Sequence, residues 1–462
     1  MKNRELLSKG NPFKAVIVFA IPSIISMTIN AFYNVVDKIF IGKYTSPEAL
    51  EGLQVVSPLM NIAFAFVVMF GLGSSSYSGN KLGEKKDKEA NIIFNNSFLF
   101  AILVPFVLSI IFFILSNPIL KLAGALETNI AYARDYYQII LLGFIFQSGA
   151  YFFLMNIRTE GRPNFAILTQ VTGCIVNVVF DYIFIVVLNM GVKGAALATV
   201  IGHLSNFLIG IIFYTITKMH FFCFNLKEMF HINWHYIYQV MTIGISSTIL
   251  NFCTGFAVII FNRVLGKYPN GLSIMAILTS LDTFIVMPCV GLRQGLLPLF
   301  SYNYGEKNYQ RMFKLYGVGA IYGVSFGIVI SLLLAIFPTF FVSLFVNVSE
   351  VRIIEEASRI CRFYYIGVTL ISFNMNTSAF YQSSRQKLKA SILSAMRQCI
   401  FLIPLIFIFD KTSGFKGIWW STPISDILSA LSSFIFFFLT YLYSRKTGYL
   451  CHKDLRLKEK NE

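Results

Sequence analysis

Two aspartates, Asp37 and Asp181, stand inside stretches of sequence that are otherwise apolar. A charge at the centre of a bilayer costs roughly 2.5 to 3.5 kcal/mol on insertion scales, so an acid kept there is a candidate for binding ions or moving protons. Each closes a polar stripe. Ser23, Ser26, Asn30, Asn34 and Asp37 recur at spacings of three and four, with Tyr33 one turn before Asp37, and Gln170, Gly173, Asn177 and Asp181 repeat the pattern. Such spacing places residues on one face of a helix. A third apolar stretch adds Thr199 and, one turn further, His203.

Two carboxylates with Asn, Thr and Tyr oxygens nearby make a set of hard-oxygen ligands, suited to a proton or to Na⁺ and poor for a soft transition metal. A Na⁺ would draw on Asp37, Asn177, Asp181 and Thr199. Two plainer readings stay open: Asp37, beside Lys38, could reach out to solvent, and His203 could be a hydrogen-bonded packing residue. Asn30, Asn34, Gln170 and His203 are further candidates for a substrate cleft. In the second half of the chain Asp282 and Arg397 are candidates too, although these two and Asp426 could equally pair structurally.

These residues must be positioned by helices in a membrane. Of 462 residues 56% are hydrophobic and 13% charged, a balance that a water-facing globular surface does not carry. A hydrocarbon core about 30 Å thick needs about 20 apolar residues, and twelve stretches of that length occur. They run over 14 to 42, 53 to 77, 91 to 115, 130 to 157, 164 to 189 and 194 to 217, then 235 to 265, 272 to 300, 313 to 337, 351 to 381, 388 to 409 and 416 to 443. The fold class is therefore an all-α polytopic membrane protein. Counted along their helices at 1.5 Å per residue, Asp37, Asp181 and Thr199 share a depth of roughly 8 to 12 Å below one surface.

The basic residues set the orientation. Lys81, Lys85, Lys86, Lys88, Arg158, Arg162, Lys218, Lys227, Lys307, Arg311, Arg385 and Lys387 fall in alternate loops, together with Lys and Arg at both termini. Retained loops collect such charge, so both termini are expected in the cytoplasm of a bacterial cell. The same distribution accounts for the net charge of +16 without a nucleic-acid partner. Seven dispersed cysteines without CxxC spacing indicate neither a disulfide framework nor a zinc site. A GxxxxGK[ST] nucleotide loop is absent, and so is any His or Asp cluster at metal spacing, which speaks against an ATP-driven pump and against a membrane enzyme.

The chain repeats itself. Leu82-Gly83-Glu84-Lys85 falls on Tyr304-Gly305-Glu306-Lys307 at an offset of 222, and Arg162 on Arg385 and Lys193-Gly194 on Lys416-Gly417 at 223. A near-constant offset across several loops marks two six-helix bundles related by a pseudo-two-fold axis along the membrane normal. The expected lobes are 1–217 and 236–462, joined by a cytoplasmic linker over 218–235. The halves are unequal in chemistry, since Asp37 falls on Ile259 and Asp181 on Pro404. Two halves around a cleft that opens alternately to either side is the logic of a secondary transporter.

The sequence resembles the multidrug and toxic compound extrusion (MATE) family over nearly its whole length. The resemblance rests on Pro22, on Tyr33-Asn34-Val35-Val36-Asp37-Lys38-Ile39-Phe40-Ile41-Gly42, on Asn177-Val178-Val179-Phe180-Asp181 and on Gly194-Ala195-Ala196-Leu197-Ala198-Thr199. Gly291-Leu292-Arg293-Gln294-Gly295, Pro298 and Tyr302-Asn303-Tyr304-Gly305 complete it. It implies a V-shaped twelve-helix antiporter in which H⁺ or Na⁺ influx drives export of drug-like, often cationic, organic compounds, with no cofactor. It looks most like the DinF-like branch and its bacterial MepA-like members, which implies a cation site of Tyr33, Asp37, Asn177, Asp181 and Thr199. The seventh span carries no acid where the NorM-like branch has a Glu. A monomer working with lipid and small-molecule partners is expected. The alternative is a flippase of the same superfamily for lipid-linked or polysaccharide precursors, for which Arg263, Arg293 and Arg397 would have to hold a pyrophosphate.

Overall fold

The computed structural model describes residues 6–45, 47–217, 221–345 and 351–450, except the side chains of 34, 38, 39, 42, 43, 47, 48 and 50. Asn34, one of the expected cleft residues, thus lies outside the described side chains. The described residues are helical and contain no strand.

Six long helices make the first half: α1 (Pro12–Tyr44), α2 (Pro47–Gly83), α3 (Asp87–Ile114), α4 (Ile130–Thr159), α5 (Pro163–Asp181) and α6 (Gly191–Thr215). The second half repeats them as α7 (Trp234–Leu265), α8 (Gly271–Gly305), α9 (Tyr309–Ile336), α10 (Val351–Tyr364 and Val368–Ser383), α11 (Lys387–Ala395 through Ile403–Ile418) and α12 (Ser421–Thr447). Among the described residues eleven helices are long and apolar enough to cross a membrane. The twelfth expected span, α10, is broken around Gly367, where a Cβ would press on the backbone of Pro423 and on the side chain of Asp426. Between the last two spans the backbone leaves helical geometry at Gly414, whose φ of 58° turns the chain inside the connection expected over 410–415.

The repeat is written in the backbone. Lys85 and Lys307, 222 residues apart, both take left-handed conformations with φ of 61° and 59°. Each follows a helix closed by the same bond, from Lys86 N–H to the Lys81 carbonyl and from Asn308 N–H to the Asn303 carbonyl, both 2.9 Å. This is the six-to-one closure that ends a helix in a left-handed residue. Gly191 and Gly414, 223 apart, share a positive φ as well.

Within a bilayer, helices are held by close packing rather than by expulsion of water, so small residues mark the contacts. A Cβ at Gly143, Gly149 or Gly210 would overlap Val200, Phe207 or Phe153, which sets α4 against α6. The outer faces are apolar instead. On α12, Leu431, Phe434, Ile435, Phe438, Leu439 and Leu442 are exposed, while Ser425, Ser429 and Ser433 are buried on the other side.

By internal packing the chain divides into two units. One is Met1–Ile24, Gly83–Lys85 and Phe256–Glu462; the other is Ile25–Leu82 and Lys86–Gly255. Helices α1 and α7 are each shared between them. In the first unit, the start of α1 lies so close to α8 that a Cβ at Gly291 would sit 2.6 Å from the Ile24 Cα, and one at Gly295 2.6 Å from the Ala20 Cα. The second unit mirrors this: a Cβ at Gly73 of α2 would overlap the Val240 carbonyl of α7, and Gly73 is the residue 222 before Gly295.

Candidate functional site

The site lies in the second unit and begins with the packing of α5 on α6. A Cβ on Gly202 would stand 3.0 Å from both the Gly173 carbonyl oxygen and the Asn177 Cβ, so the two backbones approach through glycine. That brings Asn177 of α5 and Thr199 of α6 to one wall. Gly173 does a second job: its bare Cα leaves room for the Asn206 side-chain amide, which any Cβ there would overlap. Four small buried residues, Gly194, Ala195, Ala196 and Ala198, let α6 start close to α5.

Helix α5 ends its regular turns at Asp181 and widens into a π-helical stretch over Tyr182–Val187. Wide turns of this kind are found in short pieces, often at functional sites. Asp181 is fully buried at 0% exposure, Asn177 is 3% exposed and Asp37 7%. Burial of Asp37 removes the solvent-reaching alternative. The two carboxylates lie close enough to act on one another electrostatically.

A small pocket opens beside Asn177, lined by Tyr33 of α1, by Gln170, Gly173, Cys174 and Asn177 of α5, and by Thr199, Gly202, His203 and Asn206 of α6. The structure thus brings together Tyr33, Gln170, Asn177, Thr199 and His203, with Asp181 one turn beyond Asn177. The stripe on α1 divides. Ser23 is satisfied within its helix, donating to the Phe19 carbonyl at 2.9 Å, and Ser26 accepts from Arg158 Nη2 at 3.3 Å. Asn30 is half-buried and is not among the residues lining the cavity. Arg158, expected among the loop cations, is instead buried inside α4 at 1% exposure.

Three members escaped the sequence reading. Asn206 continues the α6 stripe one turn past His203, so its spacing could have found it. Cys174 faces the cavity from α5, and its Sγ lies 3.9 Å from Gln170 Nε2. Tyr136 of α4 stands beside Thr199 and within electrostatic reach of Asp37, Tyr33 and Asp181. No polar stripe on α4 singles it out among 23 tyrosines.

The chemistry of the donor set can be tested on its unsatisfied atoms. Asp181 Oδ1 and Oδ2, Asn177 Oδ1 and Nδ2, and Thr199 Oγ1 are buried and lack a hydrogen-bond partner in the protein. Buried polar atoms are ordinarily paired, because leaving one unpaired costs about 1 to 3 kcal/mol. Four oxygens left so at one place fit a small hard cation or a proton.

The second-half candidates form a separate group in the other unit. Arg397 lies in a π-helical stretch of α11, Met396–Leu402, and its Nε donates to Asp426 Oδ1 at 2.6 Å. Ser425 Oγ donates to the Arg397 carbonyl. Asp282 of α8 is half-buried within the field of both charges.

Two repeated sets of membrane-crossing helices, with a polar cavity inside one of them, define a polytopic membrane transporter. Residues 22–183 and 243–408 match the MatE family, and the chain belongs to it. The multidrug export protein MepA of Staphylococcus aureus (strain MRSA252) is 23% identical over 442 residues, covering 95% of this chain and 97% of that protein. Its counterpart in Staphylococcus haemolyticus (strain JCSC1435) is 23% identical over 451 residues, with 96% of each covered. Among solved structures, the outward-facing conformation of a multidrug resistance MATE family transporter of the MOP superfamily superposes with a TM-score of 0.91 at 22% identity, covering 97% of this chain and 99% of that one. A MOP superfamily transporter from Pyrococcus furiosus gives 0.89 at 22% identity, covering 94% and 97%.

Proposed function

We propose that this transporter exports drug-like, often cationic, organic compounds from the bacterial cytoplasm in exchange for H⁺ or Na⁺, with coupling at Asp37, Asp181, Asn177, Thr199 and Tyr33. The observation that carries the reading is the buried, unpaired set of oxygens on Asp181, Asn177 and Thr199, beside a pocket that Asn177 and Thr199 help to line. Tyr136 belongs to this set. The cation enters at the carboxylates, repacks the α1 stripe around Tyr33, and competes with substrate in the neighbouring cavity, where Gln170, His203 and Asn206 contact it. Linkage requires this arrangement: two ligands can drive one another only by competing or by favouring opposite states. The relatives named multidrug export proteins support the substrate class. Charge in alternate loops supports termini on the cytoplasmic side.

The flippase reading finds less support. Arg293 donates to Gln382 Oε1 at 3.0 Å and Arg397 is held by Asp426, so two of the three guanidiniums it needs are already engaged.

The decisive experiment is uptake of a fluorescent organic cation by proteoliposomes, with a pH or a Na⁺ gradient imposed separately. One gradient should drive uptake in the wild type and fail to do so in Asp37→Asn and Asp181→Asn. Full gradient-driven uptake by either variant would remove the coupling assignment.

A further inference from the structure

The segment that leads into α1 is held by the second half of the chain. Arg311, read from the sequence as a loop cation, is 9% exposed and stands in the first turn of α9. Its main chain is fixed by Asn308, whose Oδ1 accepts the Arg311 N–H at 3.2 Å. Its guanidinium takes three backbone carbonyls: Nη1 donates to Gly10 at 2.6 Å, and Nη2 to Leu6 and Lys9 at 3.0 Å each. The buried Leu7 gives its own carbonyl to Asn303 Nδ2 of α8 at 2.8 Å. The chain then turns at Gly10, whose φ of 92° favours glycine, and Asn11 Oδ1 accepts the Phe13 N–H at 2.9 Å where α1 begins.

A guanidinium at this place calls for a use. Helix N-termini disfavour cations, and a buried charge is costly unless it is hydrogen-bonded. Arg311 Nε is buried without a hydrogen-bond partner, so the bonds that its side chain does make all go to the lead-in segment. The rigid planar fork suits this, since two nitrogens set apart on one plane reach carbonyls set apart along a turn. The same grip recurs in the other half. Asn96 of α3 donates to the carbonyls of Glu228 and His231 ahead of α7, and these stand 222 residues after Leu6 and Lys9. An Arg on α9 and an Asn on α3 thus take the same pair of carbonyls, and the grip, not the residue type, is what the two halves share.

We propose that Arg311 is a positioning residue for transport: it pins the foot of α1 to α9, so that movement of the part of α1 carrying Tyr33 and Asp37 is passed to α8 and α9. The inference rests on the coupling role proposed above for those two residues. Helix α1 runs without a break from Pro12 to Tyr44. Past its foot, Ala20 and Ile24 press on Gly295 and Gly291 of α8, and Asp37 lies about 20 Å beyond Ile24 at 1.5 Å per residue. A helix can carry a displacement over such a distance as a rigid element when its end is held. With its foot free it swings, and the displacement is not delivered.

Uptake of ethidium by proteoliposomes, under whichever gradient drives the wild type, tests this together with hydrogen exchange over peptides covering 6–20. In Arg311→Gln, protection of the foot should fall about tenfold or more as charge-assisted bonds are lost. Maximal uptake should fall about tenfold while the half-saturating level of the driving ion stays within about twofold, because the residues that bind it are untouched. Arg311→Lys should recover part of the rate. Asn303→Ala, which releases only Leu7, should show the same split to a smaller degree, and it decides the matter if Arg311→Gln does not fold. Wild-type uptake in a variant whose foot exchanges faster, unchanged exchange in Arg311→Gln, or a shift in half-saturation as large as the fall in rate overturns the proposal. A wild type driven by neither gradient fails the antiport reading and this inference with it; a driven wild type with an equally driven variant fails this inference alone.

Discussion

Asn177 and Asp181 stand one turn apart on α5, both buried, and none of their four side-chain heteroatoms has a hydrogen-bond partner in the protein. A fold that tolerates this has a use for those atoms, because each buried unpaired polar atom works against stability. Asp181→Asn removes the charge and keeps the shape. Apparent affinity for the coupling ion should fall about 10- to 100-fold, the loss expected for a hydrogen-bonded or coordinated charge worth about 1.5 to 3 kcal/mol. The thermal midpoint in detergent should stay level or rise, since a buried carboxylate has been replaced by a neutral amide. A large drop in midpoint without loss of ion binding would make Asp181 a structural residue.

Gly173 and Asn206 give a second prediction, about the cavity. A methyl group at 173 collides with the Asn206 amide, which must then swing toward the cavity or push α6 away. Overpacking of this kind costs about 1 to 3 kcal/mol. Gly173→Ala should therefore lower the thermal midpoint and weaken binding of a fluorescent cation, and Asn206→Ala in the same chain should restore the midpoint. Failure of the second change to rescue the first would mean that the methyl group strains the α5–α6 backbone contact instead.

Hydrophobic length and the 222-residue offset were enough to read the helices and the repeat, because a membrane span must be long, apolar and internally hydrogen-bonded. The polar stripes on α5 and α6 were legible for the same reason, as polar residues on an apolar helix stand out by contrast. Tyr136 did not stand out, being amphipathic and one of many. The break in α10 was hidden as well, since it depends on Gly367 meeting the side chain of Asp426 from a helix some sixty residues on. Nor did Asn91, Asn95 and Asn96 announce themselves: they look like ordinary interfacial residues until their bonds to Cys223, Asn225, Glu228 and Asn233 are seen. Periodicity reports which face of a helix is polar, and the partner of that face comes only from tertiary structure.

The Arg397–Asp426 pair separates a structural from a functional role for the second half. At 2.6 Å, with Asp426 1% exposed, removing one partner leaves the other charge buried alone, at a cost of about 3 to 5 kcal/mol. Asp426→Leu and Arg397→Met should each lower the thermal midpoint sharply, and the double variant should recover much of the loss, since an apolar pair of similar volume is tolerated better than half an ion pair. Transport per folded molecule measured in the double variant then tests function: activity near wild type makes the pair structural, and its loss places Arg397 in the substrate cleft.

Glu160 ties stability to pH in a definite direction. Its carboxyl is held at about 8 by burial, well above the ordinary 4.5, so the folded protein binds a proton that the unfolded chain has released throughout the interval between them. Stability falls with pH wherever the folded state binds more protons than the unfolded one. The contribution is complete below about 4.5 and is lost as the pH rises through about 8. The thermal midpoint of the wild type should accordingly decline between pH 5 and pH 8.5, while Glu160→Gln, which cannot ionise, should decline less over the same range. A wild-type curve that falls more steeply than the variant's is the expected result; parallel curves would mean that Glu160 does not carry the proton.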